Sequence, residues 1–275
     1  MKAPRQYQSF FLSIFIFMKK YVLFIGCLLV SLFLSCKTDD GFTGSSPVEE
    51  CPNASIESKI IIQDGTTYLY GGDNDTMHFN VTNWNFDKCR LNLGLGREVF
   101  PALSLPEYTN MADVNFLQDT DSCLIINDGD VFKVYPFSIL TYHEAVNEYI
   151  NDIPVLIAYC KLADLAVVYD REICNEVLDF AIAGYTYSQE DVLEDLRSFV
   201  IWDRQTESLW WPLGDIGVSG FFKNIFLEKH SETQWAITSW IDIKENYNNV
   251  VVLHTQDPVK PGVDLQIPTE SINCN

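Results

Sequence analysis

Basic charge is what this sequence has least of: 18 Lys and Arg stand against 38 Asp and Glu, a formal net charge of −20. Sequence-independent binding to nucleic acid needs Lys and Arg to neutralise phosphates, and no basic cluster is present to do so, which excludes that class of partner. Histidine is also rare, with 4 in 275 residues. No two cysteines stand in a C-x-x-C spacing, so the zinc-ribbon and thioredoxin-type patterns are both missing. Lys19 and Lys20 divide the apolar run 10–17 from the run 21–34, and neither reaches the ~18 to 20 residues of a spanning helix. No fixed-period repeat shows and strands do not alternate regularly with helices, which argues against a doubly wound sheet. Gly94-Leu95-Gly96 lacks the third glycine of a phosphate loop, and after Gly217-Val218-Ser219-Gly220 it is Phe221 that stands where a serine-hydrolase elbow needs its last glycine.

The amino end carries the clearest positive signal. Met18-Lys19-Lys20, the apolar run 21–34, the small residue Ser35 and then Cys36 follow the order of charged region, hydrophobic region and cut site, so residues 1–35 read as an export signal. Met18 followed by two lysines is a more conventional start than Met1. Phe33-Leu34-Ser35-Cys36 resembles a bacterial lipobox, which implies that Cys36 becomes the lipidated first residue of a mature chain. Residues 36–54 then form a polar tether whose acids resemble the export tag of certain surface lipoproteins. The implied location is the bacterial cell envelope, with the outer membrane as partner through Cys36, on its periplasmic face or at the cell surface. Several acyl chains would hold the protein firmly, at ~0.8 kcal/mol per buried methylene. Loss of Lys2, Arg5, Lys19 and Lys20 takes 4 from 18, leaving 14 basic against 38 acidic residues and a net charge of −24.

Residues 55–275 are long and aromatic enough to bury one core as a single globular domain. The runs 59–63 and 66–70 around Asp64-Gly65, and 123–126 and 131–135 around Asn127-Asp128-Gly129-Asp130, are hairpin patterns, the second closed by Pro136. Ile139, Tyr142, His143, Val146, Tyr149 and Ile150 fall at helical spacing, predicting about three turns of helix with His143 facing inward. The runs 154–159, 165–169 and 177–182 read as one buried sheet, with 199–202 and 250–254 as further strands. Ser231-Glu232-Thr233-Gln234 has capping-box spacing, predicting a helix that carries Trp235 and Trp240. The expected fold is therefore mainly β with a few short helices (α+β), either an antiparallel-rich sheet or a barrel-like core. Once Cys27 and Cys36 are set aside, six cysteines remain, enough for disulfides but with 15 possible pairings. Cys51 and Cys274, at the edges of the domain, are suited to tie its ends together.

Several motifs in order carry a resemblance over residues 94–254. They are Gly94-Leu95-Gly96-Arg97 with Pro101-Ala102-Leu103; Val134-Tyr135-Pro136; His143-Glu144-Ala145-Val146-Asn147; the strand ending Tyr159-Cys160; and Asp203-Arg204-Gln205-Thr206-Glu207-Ser208-Leu209-Trp210, with Gly214 and Gly220 beyond. On these the chain resembles the domain-of-unknown-function family 3179. The resemblance implies a fold and candidate positions rather than a reaction. Where that family has Tyr-Cys-Pro-Leu-Cys, this chain has Tyr159-Cys160-Lys161-Leu162-Ala163, so the second cysteine of any dithiol or metal pair is gone, unless Cys174 replaces it.

His143 and Cys160 head the candidate sites, because imidazole and thiolate together can bind a transition metal or make sulfur a nucleophile. The structural alternative is a core histidine bonded to backbone and a buried or disulfide-bonded cysteine. Asp203, Arg204 and Trp210 could hold an anionic ligand, Arg204 by bidentate contact, or could instead brace a turn. Glu190, Asp191, Glu194 and Asp195 lack EF-hand spacing and read as a solvated helix start. Two functions follow: an envelope lipoprotein that binds a metal ion or small ligand near His143 and Cys160, or a thiol-dependent enzyme with Cys160 as nucleophile, His143 as base and Glu144 or Glu148 as orienter. Replacing Cys36 with alanine is expected to abolish incorporation of a labelled fatty acid and leave the precursor uncut; a labelled, processed variant would remove the anchor.

Overall fold

The computed structural model describes residues 54–188, 197–231 and 234–254, together with Ile272 and Cys274. The export signal, Cys36, Cys51, the carboxylates at 190–195, and Glu232 and Thr233 lie outside the described residues. A short α1 (Ala54–Glu57) leads into β1 (Ile60–Gln63) and β2 (Thr66–Leu69), joined through Asp64 and Gly65, both at positive φ as the dipeptide predicts. Next come β3 (Phe79–Asn80), β4 (Leu91–Leu93), β5 (Leu103–Ser104) and β6 (Tyr108–Asn110). The second hairpin is β7 (Ser122–Asp128) and β8 (Val131–Pro136), and Pro136 ends it by standing as the N-cap of α2 (Phe137–His143). The chain continues as β9 (Ala145–Ile150), β10 (Ile153–Cys160), β11 (Leu165–Asp170), β12 (Glu172–Ile173), β13 (Glu176–Val177), β14 (Phe180–Ser188), β15 (Arg197–Asp203), β16 (Leu209–Trp211) and β17 (Ile216–Gly217). It closes with β18 (Trp235–Ser239), α3 (Trp240–Asn246) and β19 (Val250–Leu253).

Three larger sheets result, in the orders β11-β10-β9-β5, β17-β16-β15-β14-β4 and β18-β7-β8-β19-β6. Their pairings are antiparallel except β5 with β9 and β8 with β19, and no closed barrel forms among the described residues. The layering follows from β10, whose side chains alternate between two cores. Leu156, Ala158 and Cys160 pack with Ala181, Val200 and Ile201 of the β14–β15 sheet, whereas Val155, Ile157 and Tyr159 pack with Leu124, Ile126 and Tyr135 of the β7–β8 sheet and with Leu140 of α2. A strand buried on both faces reads as an unbroken apolar run, as residues 153–160 do. The far side of β7 and β8, with Cys123, Ile125 and Val134, is covered by Trp240 and Ile243 of α3.

Four sequence expectations are corrected. The helix predicted through Ile150 ends at His143, because Glu144 turns to φ 58° and its N–H closes on the Leu140 carbonyl; residues 145–150 then pair with β10 as a strand. Val146 and Ile150 lie four apart, a spacing that keeps both on one face in either a helix or a strand, so periodicity could not separate the two. Residues 180–182 belong to a different sheet from β10 and β11, since the hairpin of β12 and β13, with Cys174 and Asn175 at positive φ, carries the chain between layers. Trp235 lies in a strand paired with β7, and the helix starts only at Trp240 with Ser239 as N-cap. Finally, Cys274 bonds to Cys174, so it ties neither to Cys51 nor leaves Cys174 for Cys160; Cys89 is disulfide-bonded, and Cys123 and Cys160 are free and buried.

Arg171 fastens two of the layers. Only 2% exposed, it donates from Nε to the Val155 carbonyl (3.0 Å), from Nη1 to the Leu178 carbonyl (2.5 Å) and the Asp179 carboxylate (2.7 Å), and from Nη2 to the Glu148 carbonyl (3.2 Å). Replacing it with methionine fills similar space but strands those acceptors. Arg171→Met is expected to lose about 3 to 5 kcal/mol in a denaturant titration; a loss under about 1 kcal/mol would show that the clasp does not hold the layers.

Candidate functional site

The two leading sequence candidates come from adjoining elements. His143 closes α2, 7% exposed, with Nδ1 at 2.8 Å from the Pro101 carbonyl. Cys160 ends β10, fully buried; burial raises its thiol pKa, backbone N–H groups of Ala163, Phe199 and Leu162 oppose that rise, and the Glu144 carboxyl adds to it. Among the described residues no hydrogen bond joins this sulfur to the His143 ring, and no group of three or more His, Cys, Asp or Glu side chains converges as metal ligands do.

The other motif residues also hold internal partners. Asp203, wholly buried, accepts from Trp210 Nε1 (2.8 Å), from the Thr206 N–H (2.7 Å) and from Thr206 Oγ1, while Thr206 Oγ1 lies 2.7 Å from Ser208 Oγ, which accepts from the Phe222 N–H. Arg204 pairs with Glu98 (3.1 Å) rather than with its neighbour Asp203. Asn147 bridges to β14 with its amide, donating to the Phe180 carbonyl and accepting the Phe180 N–H. This segment thus braces a turn, and Arg204, Asp203 and Trp210 stay clear of the cleft described next.

That cleft lies beside His143 and Cys160, lined by neither. Its volume is about 540 Å³, and its walls are largely apolar: Leu95 and Phe100 on one side, Ile182, Tyr185 and Phe199 from the β14–β15 sheet, and Leu162 from the turn after β10. Glycines make room for it. Gly184, at φ 84° where the β14–β15 register shifts, lies so close to Gly96 that a Cβ would stand 2.1 Å from that residue's carbonyl carbon, and its own carbonyl accepts the Gly94 N–H. The Gly94-Leu95-Gly96 motif therefore packs a loop onto a bulge, a role unrelated to phosphate.

Two polar lining groups are satisfied within the protein, Thr141 by the Phe137 carbonyl and Tyr185 by the Tyr70 carbonyl. Glu144 is different. It is only 9% exposed, and among the described residues its carboxyl forms no hydrogen bond or ion pair; burial pushes it up to about 7. The left-handed turn that ends α2 places it there. Sequence reasoning singled out Glu144 only as an orienter for His143, and it missed Leu95, Phe100, Leu162, Ile182 and Phe199. Leu95 and Leu162 carried a faint signal, as apolar residues in turn-forming stretches.

Residues 97–260 match the model of a family described as a protein of unknown function (DUF3179). No curated protein and no solved structure matches the chain at a significant level.

The Glu144 carboxyl binds its proton more tightly in the folded chain, at about 7 against an ordinary 4.5, so folding stability falls as pH rises through that window and the penalty is complete above about 7. At ~1.4 kcal/mol per unit this amounts to roughly 3 kcal/mol. Glu144→Gln is expected to be more stable than wild type by that order near pH 8, by denaturant titration, with the gap closing near pH 4. Equal stability at both pH values would mean that the carboxylate is well solvated.

Proposed function

The chain belongs to the DUF3179 family, and on that premise we propose that it binds an amphipathic small molecule in the cleft between the Gly94–Gly96 loop and the β14–β15 sheet, as a lipid-anchored protein of the cell envelope. The observation that carries this reading is the cleft itself: about 540 Å³, mainly apolar, with one buried carboxyl. Small-molecule sites commonly occupy ~300 to 1,000 Å³ and combine apolar walls with few polar groups. Leu95 and Leu162 on its lining are 64% and 71% exposed, apolar surface that an occupant would remove from water. Acyl chains on Cys36 would keep the cleft near a membrane, where amphipathic molecules collect.

Binding without turnover asks least of the residues beside the cleft. A nucleophilic Cys160 would need its thiolate, yet burial raises the thiol pKa, and among the described residues no hydrogen bond joins its sulfur to the His143 ring. Metal binding through His143 and Cys160 would likewise need further ligands at that point.

If apolar burial drives binding, each added methylene contributes ~0.8 kcal/mol, about fourfold in affinity, until the cleft is full. Linear alcohols of increasing length should therefore displace a neutral naphthyl fluorophore with steadily rising affinity. Leu162→Asp, at an exposed position, should weaken every member about tenfold or more. An affinity indifferent to chain length and to Leu162→Asp would remove the cleft as the binding site.

A further inference from the structure

Glu144 stands out because the other polar side chains of the motifs and of the cleft lining named above already have partners. Arg97, Asn147, Asp203 and Arg204 each hold internal bonds, and Thr141 and Tyr185 in the same lining donate to backbone carbonyls. Glu144 alone among these is a buried carboxyl without a partner among the described residues. Lys161 also lines the cleft, but it is exposed and forms no ion pair with Glu144. An unpaired buried acid destabilises the fold, and a ligand that supplied both a positive charge and N–H donors would relieve it.

We infer that the cleft selects a cationic amphiphile, an amine with an apolar body, whose ammonium group is held by the Glu144 carboxylate. This rests on the cleft reading above and adds the charge of the ligand's head. Three observations favour a cation over a neutral or anionic head. The carboxylate lacks a counter-charge, the rings of Phe100, Tyr185 and Phe199 line the same space and can face the cation, and a net charge of −20 draws cations and repels anions. The apolar body would lie against Ile182 and cover Leu95 and Leu162.

The test uses three ligands of one length, octylamine, octanol and octanoate, titrated into the purified protein near pH 8, where a carboxyl at about 7 is ionised. The expected order is octylamine at least tenfold tighter than octanol, with octanoate weakest. In Glu144→Gln the amine advantage over octanol should fall to under about threefold, and Glu144→Asp should keep part of it. A measurement on the wild type guards against a variant that fails to fold: the advantage should survive about 0.5 M salt, because a sheltered ion pair is screened far less than the surface field. Octanol binding as tightly as octylamine, an advantage that persists in Glu144→Gln, or one abolished by salt would each overturn the amine selectivity while leaving the cleft reading intact. Failure of all three ligands to bind would overturn the cleft reading itself.

Discussion

Burial of β10 on both faces is the constraint on which the architecture depends. A strand with one wet face needs one partner layer; β10 has none wet, so its even-numbered side chains require the β14–β15 sheet and its odd-numbered ones require the β7–β8 sheet. Each fully buried aliphatic side chain contributes ~1.5 to 3 kcal/mol relative to exposure, and the residues from Val155 to Ala158 are all buried. Stacking on both sides leaves the outer face of β7 and β8 to be covered in turn, which α3 does with Trp240 and Ile243.

Such layering leaves polar groups inside, and their satisfaction gives the molecule much of its specificity. Arg171 binds carbonyls of β9, β10 and the segment before β14; Asn147 copies a backbone pairing toward Phe180; Asp203 gathers Thr206 and Trp210 into a closed turn. Hydrogen bonds of this kind add modestly when made and cost more when one partner is left alone. Most polar residues of the D-R-x-T-x-S-L-W and H-E-x-x-N segments are thereby accounted for by the fold. The residue left over, Glu144, lines a cleft whose walls are mainly apolar.

The cleft depends on close backbone approach as much as on side chains. Gly94, Gly96 and Gly184 let a loop rest on a bulged strand, and the space beside that contact is the cavity. A side chain at Gly184 would push the loop away and also strain a backbone at φ 84°. The same left-handed geometry at Glu144 ends α2 and turns a carboxyl inward, so two backbone reversals, at 144 and 184, shape the site.

Local chemistry was legible in the chain before any fold was known. Both hairpins could be read from Asp64-Gly65 and Asn127-Asp128-Gly129-Asp130, because turn geometry is set by neighbouring residues; the mainly β character and the inward-facing His143 could be read as well. The end of α2 could not, since Val146 and Ile150 satisfy helix and strand spacing alike, and pairing with β10 decided between them. Disulfide partners were equally hidden: Cys174 meets Cys274 across 100 residues, a contact only the packed layers create. For the site, sequence located the neighbourhood through His143, Glu144 and Cys160, yet not which of them meets open space. Residue type fixes what a side chain can do, whereas burial and the supply of partners, both properties of the assembled layers, fix which side chain remains free to do it.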